Sequence, residues 1–186
     1  MSHPELYILR HGETAWNAEN RMQGELDSPL TELGVRQAQR QREILRMRDL
    51  GGFAYLTSPQ GRAFQTAAIA LQGLADNIRT DDRLREIGVG DWSGRLRADL
   101  PTPAGPNPLI AQYEQAPGGE GFTRLEARLR SLLADLSGPA VIVTHGITGS
   151  MLRGLVIGEN LFRGTNPHGG QGCIYWLREG EEEVLV

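Results

Sequence analysis

The sequence predicts an α/β fold: an open sheet whose strands are joined by helical crossovers. Two observations carry that prediction. Two short apolar runs lie far apart in the chain, Leu6-Tyr7-Ile8-Leu9 and Ala140-Val141-Ile142-Val143-Thr144, and each has the composition of a strand buried on both faces. Both stop at the same dipeptide, in Arg10-His11-Gly12 and in His145-Gly146. Between and after them lie segments with helical periodicity and recognisable helix starts. In sheets of this kind the carboxyl ends of parallel strands gather at one edge, where the ligand crevice forms. The two His-Gly pairs therefore belong at one place.

Composition narrows the reading. The 186 residues suit one domain, 1–186, with room for a substantial core. The single cysteine, Cys173, rules out an internal disulfide and a cysteine-based zinc cluster, and its apolar surroundings suit a buried structural role. All 19 basic residues are arginine, so Schiff-base lysine chemistry and a P-loop lysine are both excluded. A net charge of -4 argues against a nucleic-acid partner, which needs a concentrated basic surface. No signal-peptide pattern and no membrane-length apolar stretch is present, so a soluble, cytoplasmic protein without a membrane partner is expected.

The elements follow in order. After the first strand, Trp16, Asn17, Asn20 and Gln23 read as a functional loop at a pocket mouth, with a helical turn at most. Thr31 is the N-cap of a helix running to about Arg48, with Leu30 placed to staple onto Val35. Residues 54–57 form a second short strand. Ser58-Pro59 is a helix start, Ser58 as N-cap and Pro59 at the first helical position, with Phe64, Ala67, Ala68 and Leu71 as the apolar face. Arg62 then falls in the first turn, where its charge opposes the helix dipole, a placement that makes sense if it faces an anion. Residues 79–84 suit a short edge strand, and residues 85–94 a glycine-punctuated loop. Residues 95–121 carry five prolines and little periodicity and are expected to cap the site. Thr123-Arg124-Leu125-Glu126 reads as a capping box, starting a helix with a Leu125, Leu129, Leu132, Leu133, Leu136 stripe. A helix over about 148–156 and strands near 173–177 and 183–186 complete the chain.

Two imidazoles, His11 and His145, joined by the guanidiniums of Arg10 and Arg62, concentrate positive charge and donors at one spot. That suits a phosphoryl group and its transition state. A zinc site would want a third protein ligand, and only His3 and His168 remain, so no metal is expected. With no lysine, metal or suitable cysteine, a neutral imidazole is the attacking group and a phosphohistidine the intermediate. The proton for the leaving alkoxide comes from Glu86 in its glycine-rich loop, with Glu13 as competitor.

These residues carry a resemblance. Arg10-His11-Gly12-Glu13-Thr14, Asn17, Gln23-Gly24, Asp27 through Thr31 with Gly34, the segment 58–67, the loop 85–94 and Thr144-His145-Gly146 resemble the histidine phosphatase superfamily, also called phosphoglycerate mutase-like. The matches span nearly the whole chain in the family's order. The resemblance implies a three-layer α/β/α sandwich with a mostly parallel sheet. It implies that His11 is the phosphorylated nucleophile, that Arg10, Arg62 and His145 surround the phosphate, and that Asn17 helps to hold it. It also implies that Glu86 is the proton donor. Gln23, Gly24 and Gly146 join the expected substrate-binding set, and no cofactor is expected.

Within the family, Gly88-Val89-Gly90-Asp91-Trp92-Ser93-Gly94 is similar to the phosphatase branch, because the mutase branch carries a tyrosine after the catalytic glutamate. The expected activity is therefore a metal-independent phosphomonoesterase acting on a small phosphorylated metabolite. A cofactor-dependent phosphoglycerate mutase is the enzyme alternative, and a non-catalytic phospho-ligand binding module the other. A Gly-Gly-Glu-Ser-like element of the family stands here as Gly118-Gly119-Glu120-Gly121, without the hydroxyl. The absence of basic residues over 99–115 argues against multiply charged substrates.

Overall fold

The computed structural model describes residues 3–104, 107–160, 162 and 170–186. His168 and cap residues 105–106 lie outside them. Among the described residues the strands are β1 (Leu6–Arg10), β2 (Ala54–Thr57), β3 (Arg79–Thr80), β4 (Ala140–Thr144), β5 (Ile174–Arg178) and β6 (Glu181–Leu185). The helices are α1 (Ala15–Ala18), α2 (Glu32–Arg46), α3 (Gly61–Ala70), α4 (Pro108–Glu114), α5 (Gly121–Asp135) and α6 (Gly146–Ile157). Six strands make one sheet in the order β3-β2-β4-β1-β5-β6. The first four are mutually parallel, and β5 and β6 are antiparallel additions at one edge.

Alternation along the central strands divides the core into two layers. Leu6, Ile8, Ala140 and Ile142 pack with Leu125, Leu129, Leu132 and Leu152 of α5 and α6. Tyr7, Leu9, Val141 and Val143 pack with Leu45, Ala63, Ala67 and Ala70 of α2 and α3. The result is the three-layer α/β/α sandwich, with a mostly parallel sheet. β4 is buried at every position, which is why its sequence shows no polar alternation.

Most elements fall where the sequence places them, but several boundaries move. Thr31 caps α2 as expected, its side chain accepting from Gly34 N. α3 begins at Gly61 with Gln60 at the N-cap position, not at Ser58-Pro59. Its first free N–H groups, Gly61 N and Arg62 N, are met by Asp27 Oδ2 at 2.6 Å and Oδ1 at 3.3 Å. The buried face of α3 is Arg62, Ala63, Thr66, Ala67 and Ala70, whereas Phe64 and Ala68 face outward. α5 begins at Gly121, so Thr123 lies inside the helix and caps nothing. Glu114 of α4 accepts from Phe122 N at 2.5 Å in its place. α6 begins at Gly146, two residues before the expected start, directly on the end of β4. The expected loop after β1 contains α1, closed by a capping box between Thr14 and Asn17. The cap contains α4, started by Asn107 with Pro108 in the first turn.

One close approach explains two glycines. A Cβ on Gly12 would lie 2.2 Å from Gly34 O, and one on Gly34 would lie 2.1 Å from Glu13 O. The segment leaving β1 is thus pressed backbone to backbone against the first turn of α2.

Candidate active site

β1 and β4 are hydrogen-bonded neighbours, and His11 N donates to Thr144 O at 2.9 Å, one step beyond the paired strands. This continuation sets His11 beside His145, their ring centroids 5.1 Å apart. Both rings are buried. Burial, reinforced by the Arg62 and Arg10 guanidiniums, holds both imidazoles well below their ordinary value of 6.5, so both are neutral at neutral pH.

The tautomer of His11 follows from a single contact. Its Nδ1 lies 2.7 Å from Gly12 O, and a carbonyl can only accept. The proton therefore sits on Nδ1 and the lone pair on Nε2. Arg62 Nε donates to that nitrogen at 3.3 Å. Arg62 is held on its other atoms by Asp27 Oδ1 and Leu26 O, both at 2.7 Å, and by Gly24 O at 2.9 Å. Its charge in a helix's first turn is thus balanced by Asp27. Arg10 Nε is buried without a partner.

Glu86 lines the same cavity as the two imidazoles. Its carboxylate accepts from Ile147 N at 3.2 Å and Thr148 N at 2.9 Å, the free donors of α6, and from its own neighbour Ile87 N at 3.1 Å. Glu86 N in turn donates to Gln60 Oε1 at 2.6 Å, and Gln60 Nε2 donates to Gly24 O at 2.9 Å. The rival acid, Glu13, accepts from Thr31 Oγ1 at 2.8 Å, at the start of α2.

These groups line one cavity of about 540 Å³, whose wall includes Arg10, His11, Asn17, Gln23, Gly24, Arg62, Glu86, His145 and Gly146; of the residues read at its mouth, Asn20 also lines it and Trp16 does not. Asn17 Oδ1 accepts from Thr14 N at 3.2 Å and from Gln171 Nε2 at 3.0 Å, and its Nδ2 has no partner among the described residues. Gln23 Nε2 donates to Thr14 Oγ1 at 2.8 Å, and its Oε1 is buried without a donor. Gly24 contributes only a carbonyl, already used to hold Arg62 and Gln60. The Arg10 guanidinium packs against Gly146, 3.4 Å from where a Cβ would be.

The sequence missed Asp27, Ser58 and Gln60 as site-builders, and Arg21, Arg97, Tyr113, Arg153 and Gln171 as lining residues. The sequence reading against multiply charged substrates rests on the absence of basic residues over 99–115, but Arg21 and Arg97, from outside that window, line the cavity. Arg153 is neutralised by Glu182, Nε to Oε2 and NH2 to Oε1 both at 2.6 Å. Among the described residues the hydrogen-bond partners of Arg97 are neutral, Gln112 Oε1 at 3.2 Å and the Tyr113 hydroxyl, and it lies over the Tyr113 ring. A basic residue just outside a proline-rich window was the available signal. Among the described residues no helix is long and apolar enough to cross a membrane.

Fold and site together define an α/β protein with a cleft lined by imidazoles and guanidiniums at the carboxyl ends of its parallel strands. A family model for the histidine phosphatase superfamily (branch 1) matches residues 6–186, and the chain is a member of that family of enzymes. It is 40% identical over 164 residues to a protein named probable phosphoglycerate mutase GpmB from Proteus mirabilis, covering 83% of this chain and 75% of that one. Among solved structures it resembles a mycobacterial glucosyl-3-phosphoglycerate phosphatase, with a TM-score of 0.77, 28% identity and 98% of each chain covered. It resembles YhfR of Bacillus stearothermophilus at a TM-score of 0.76 and 33% identity, over 97% of this chain and 94% of that one. A putative α-ribazole-5'-P phosphatase from Escherichia coli matches at a TM-score of 0.76 and 25% identity, over 100% of this chain and 96% of that one.

Proposed function

We propose that this chain is a metal-independent phosphomonoesterase that hydrolyses small phosphorylated metabolites through a phosphohistidine on His11. The observation that carries this reading is the lone pair of His11 Nε2. It belongs to a buried neutral ring, fixed through Nδ1, in the midst of two guanidiniums.

The chemistry runs in two displacements. His11 Nε2 attacks phosphorus and the P–O bond to the leaving group breaks, while Arg10, Arg62, His145, the Asn17 amide and Gly146 N–H hold the remaining oxygens. Glu86 gives its proton to the leaving alkoxide. The Glu86 carboxylate then takes a proton from water as that water attacks phosphorus. The P–N bond breaks, inorganic phosphate leaves, and His11 is neutral again. Gln23 Oε1 accepts from a hydroxyl on the leaving group. The cluster suits an anion and repels a cation, which supports chemistry without a metal. Residues 95–121 act as a short cap on a single domain, with Arg97 and Tyr113 forming its inner wall.

A phosphoglycerate mutase is the second reading. It is favoured by the names of the sequence relatives and by Arg97, a lining cation with no carboxylate partner among the described residues. Rapid quenching with a labelled phosphomonoester should trap acid-labile, base-stable phosphate on the wild type and none on His11→Ala. The wild type should keep its full rate in EDTA. Near-native turnover by His11→Ala sinks the covalent mechanism. Interconversion of phosphoglycerates, primed by 2,3-bisphosphoglycerate and faster than phosphate release from the best substrate of a panel, selects the mutase.

A further inference from the structure

Ser58 was expected to cap a helix and does not. Its hydroxyl lies instead 2.8 Å from Nε2 of His145, with both residues buried. We propose that Ser58 is a positioning residue: it donates its hydroxyl hydrogen to His145 Nε2 and so keeps the proton of that ring on Nδ1, as a donor facing the phosphoryl site.

The direction of this hydrogen bond follows from the partners available. Ser58 Oγ already accepts from Gln60 N at 3.3 Å, and no third partner is present among the described residues. His145 Nδ1 is buried and has no partner among the described residues. Two arrangements are possible for a neutral ring. If Nε2 carried the proton and gave it to Ser58, the hydroxyl hydrogen and the Nδ1 lone pair would both be left unmatched. If Ser58 donates to Nε2, the single unmatched group is the Nδ1 hydrogen. A buried unmatched polar group costs about 1–3 kcal/mol, so the second arrangement prevails. Its one loose end is a donor on a residue that lines the same cavity as Arg10, whose Nε is likewise unmatched among the described residues. Two unpartnered donors at one place are what a phosphoryl oxygen satisfies.

The position of Ser58 is set by the sheet. Its backbone N donates to Val143 O at 3.0 Å, so the chain leaving β2 runs alongside the end of β4 and carries the hydroxyl to the ring. The isolated imidazole favours the Nε2-protonated form, hence a partner is needed to hold the other.

This inference rests on the reading that a phosphoryl group sits between the two histidines, and one experiment separates the two. Nitrogen-15 NMR of the four histidines in ligand-free protein reads each tautomer directly. In the wild type, Nδ1 of both His11 and His145 should be protonated. In Ser58→Ala the proton of His145 should move to Nε2, while His11, held by Gly12 O, should not change and so reports an intact site. Affinity for inorganic phosphate should fall about tenfold to a hundredfold, the range of a lost hydrogen bond to an anion. If Ser58→Ala does not fold, Ser58→Cys keeps the volume with a weak donor and should show the same shift in part. An Nε2-protonated His145 in the wild type, or an unchanged His145 in the folded variant, overturns the role of Ser58. Wild-type protein that binds no phosphate at all overturns the functional reading.

Discussion

In the proposed mechanism His11 attacks phosphorus only while its ring is neutral, and burial is the chief cause that holds it so. Glu86 is the other residue on which turnover rests in that mechanism. An alkyl alkoxide leaves only with a proton, whereas p-nitrophenolate leaves without one, and general acid catalysis is worth about a hundred- to ten-thousand-fold. Glu86→Gln should therefore slow the phosphorylation half-reaction on an alkyl phosphate by that range and on p-nitrophenyl phosphate far less, as single-turnover kinetics would read. Equal losses on the two leaving groups, or a leaving-group-dependent loss in Glu13→Gln, move the acid away from Glu86. The same variant turns one acceptor oxygen into a donor facing the N-terminus of α6, so it should also lose about 1–3 kcal/mol of stability in urea titration. At this scale the sequence was legible for residue identity and blind to protonation. Arg10, His11, Arg62 and His145 could be named because strand ends and a helix start mark them, and Glu86 because of its glycine-rich loop and the family resemblance. The tautomers could not, because they depend on Gly12 O and Ser58 Oγ lying at particular distances, which no spacing encodes.

Helix starts show where local patterns stop being informative. α2 was read correctly because its cap, Thr31, is adjacent in sequence. The starts of α3, α5 and α6 were misread for one shared reason: the carboxylates that meet their free N–H groups come from elsewhere in the chain, Asp27, Glu114 and Glu86 respectively. A serine followed by proline, or a threonine three residues before a glutamate, is a plausible cap only while nothing better arrives from afar. At α3 the distant cap has a second task, since Asp27 Oδ1 accepts from both Arg62 N and Arg62 NH1. Asp27→Ala should thus do two things at once. It should cost about 0.5–2 kcal/mol of stability, the usual loss for a missing cap. It should also loosen the Arg62 guanidinium and weaken inorganic phosphate binding. Asp27→Asn keeps an acceptor for the helix while removing the charge, so it should retain most of the stability yet still bind phosphate less well. If Asp27→Asn binds phosphate like the wild type, the cap and not the ion pair is what places Arg62.

For the molecule as a whole, the sheet was legible because β1 and β4 are buried on both faces and so carry an uninterrupted apolar signal. The cap was not legible: α4 is short, and it is held by single side chains such as Asn107 at its start and Arg97 against Tyr113. Placing the two imidazoles in the interior has a consequence for the stability of the entire fold. Both are held well below 6.5, chiefly by burial, and in the unfolded chain both return to about that value. Below pH 6.5 the unfolded chain therefore binds up to two more protons than the folded one. Stability rises with pH wherever the unfolded state binds more protons, so here it must fall as the pH drops from 6.5 toward the depressed folded values. Each extra proton contributes a slope of about 1.4 kcal/mol per pH unit, and two together give at most about 2.7. Above 7.5 both rings are neutral in either state and this contribution vanishes. Urea denaturation between pH 7.5 and 5 tests the argument in a window above the ordinary range of the carboxylates. The midpoint should hold steady down to about 7 and then decline. His145→Asn, which cannot take up a proton, should decline with about half the slope. A wild-type midpoint that is flat from 7.5 to 5 means that the rings protonate as easily inside the protein as outside it. In that case neither imidazole is held neutral by its burial.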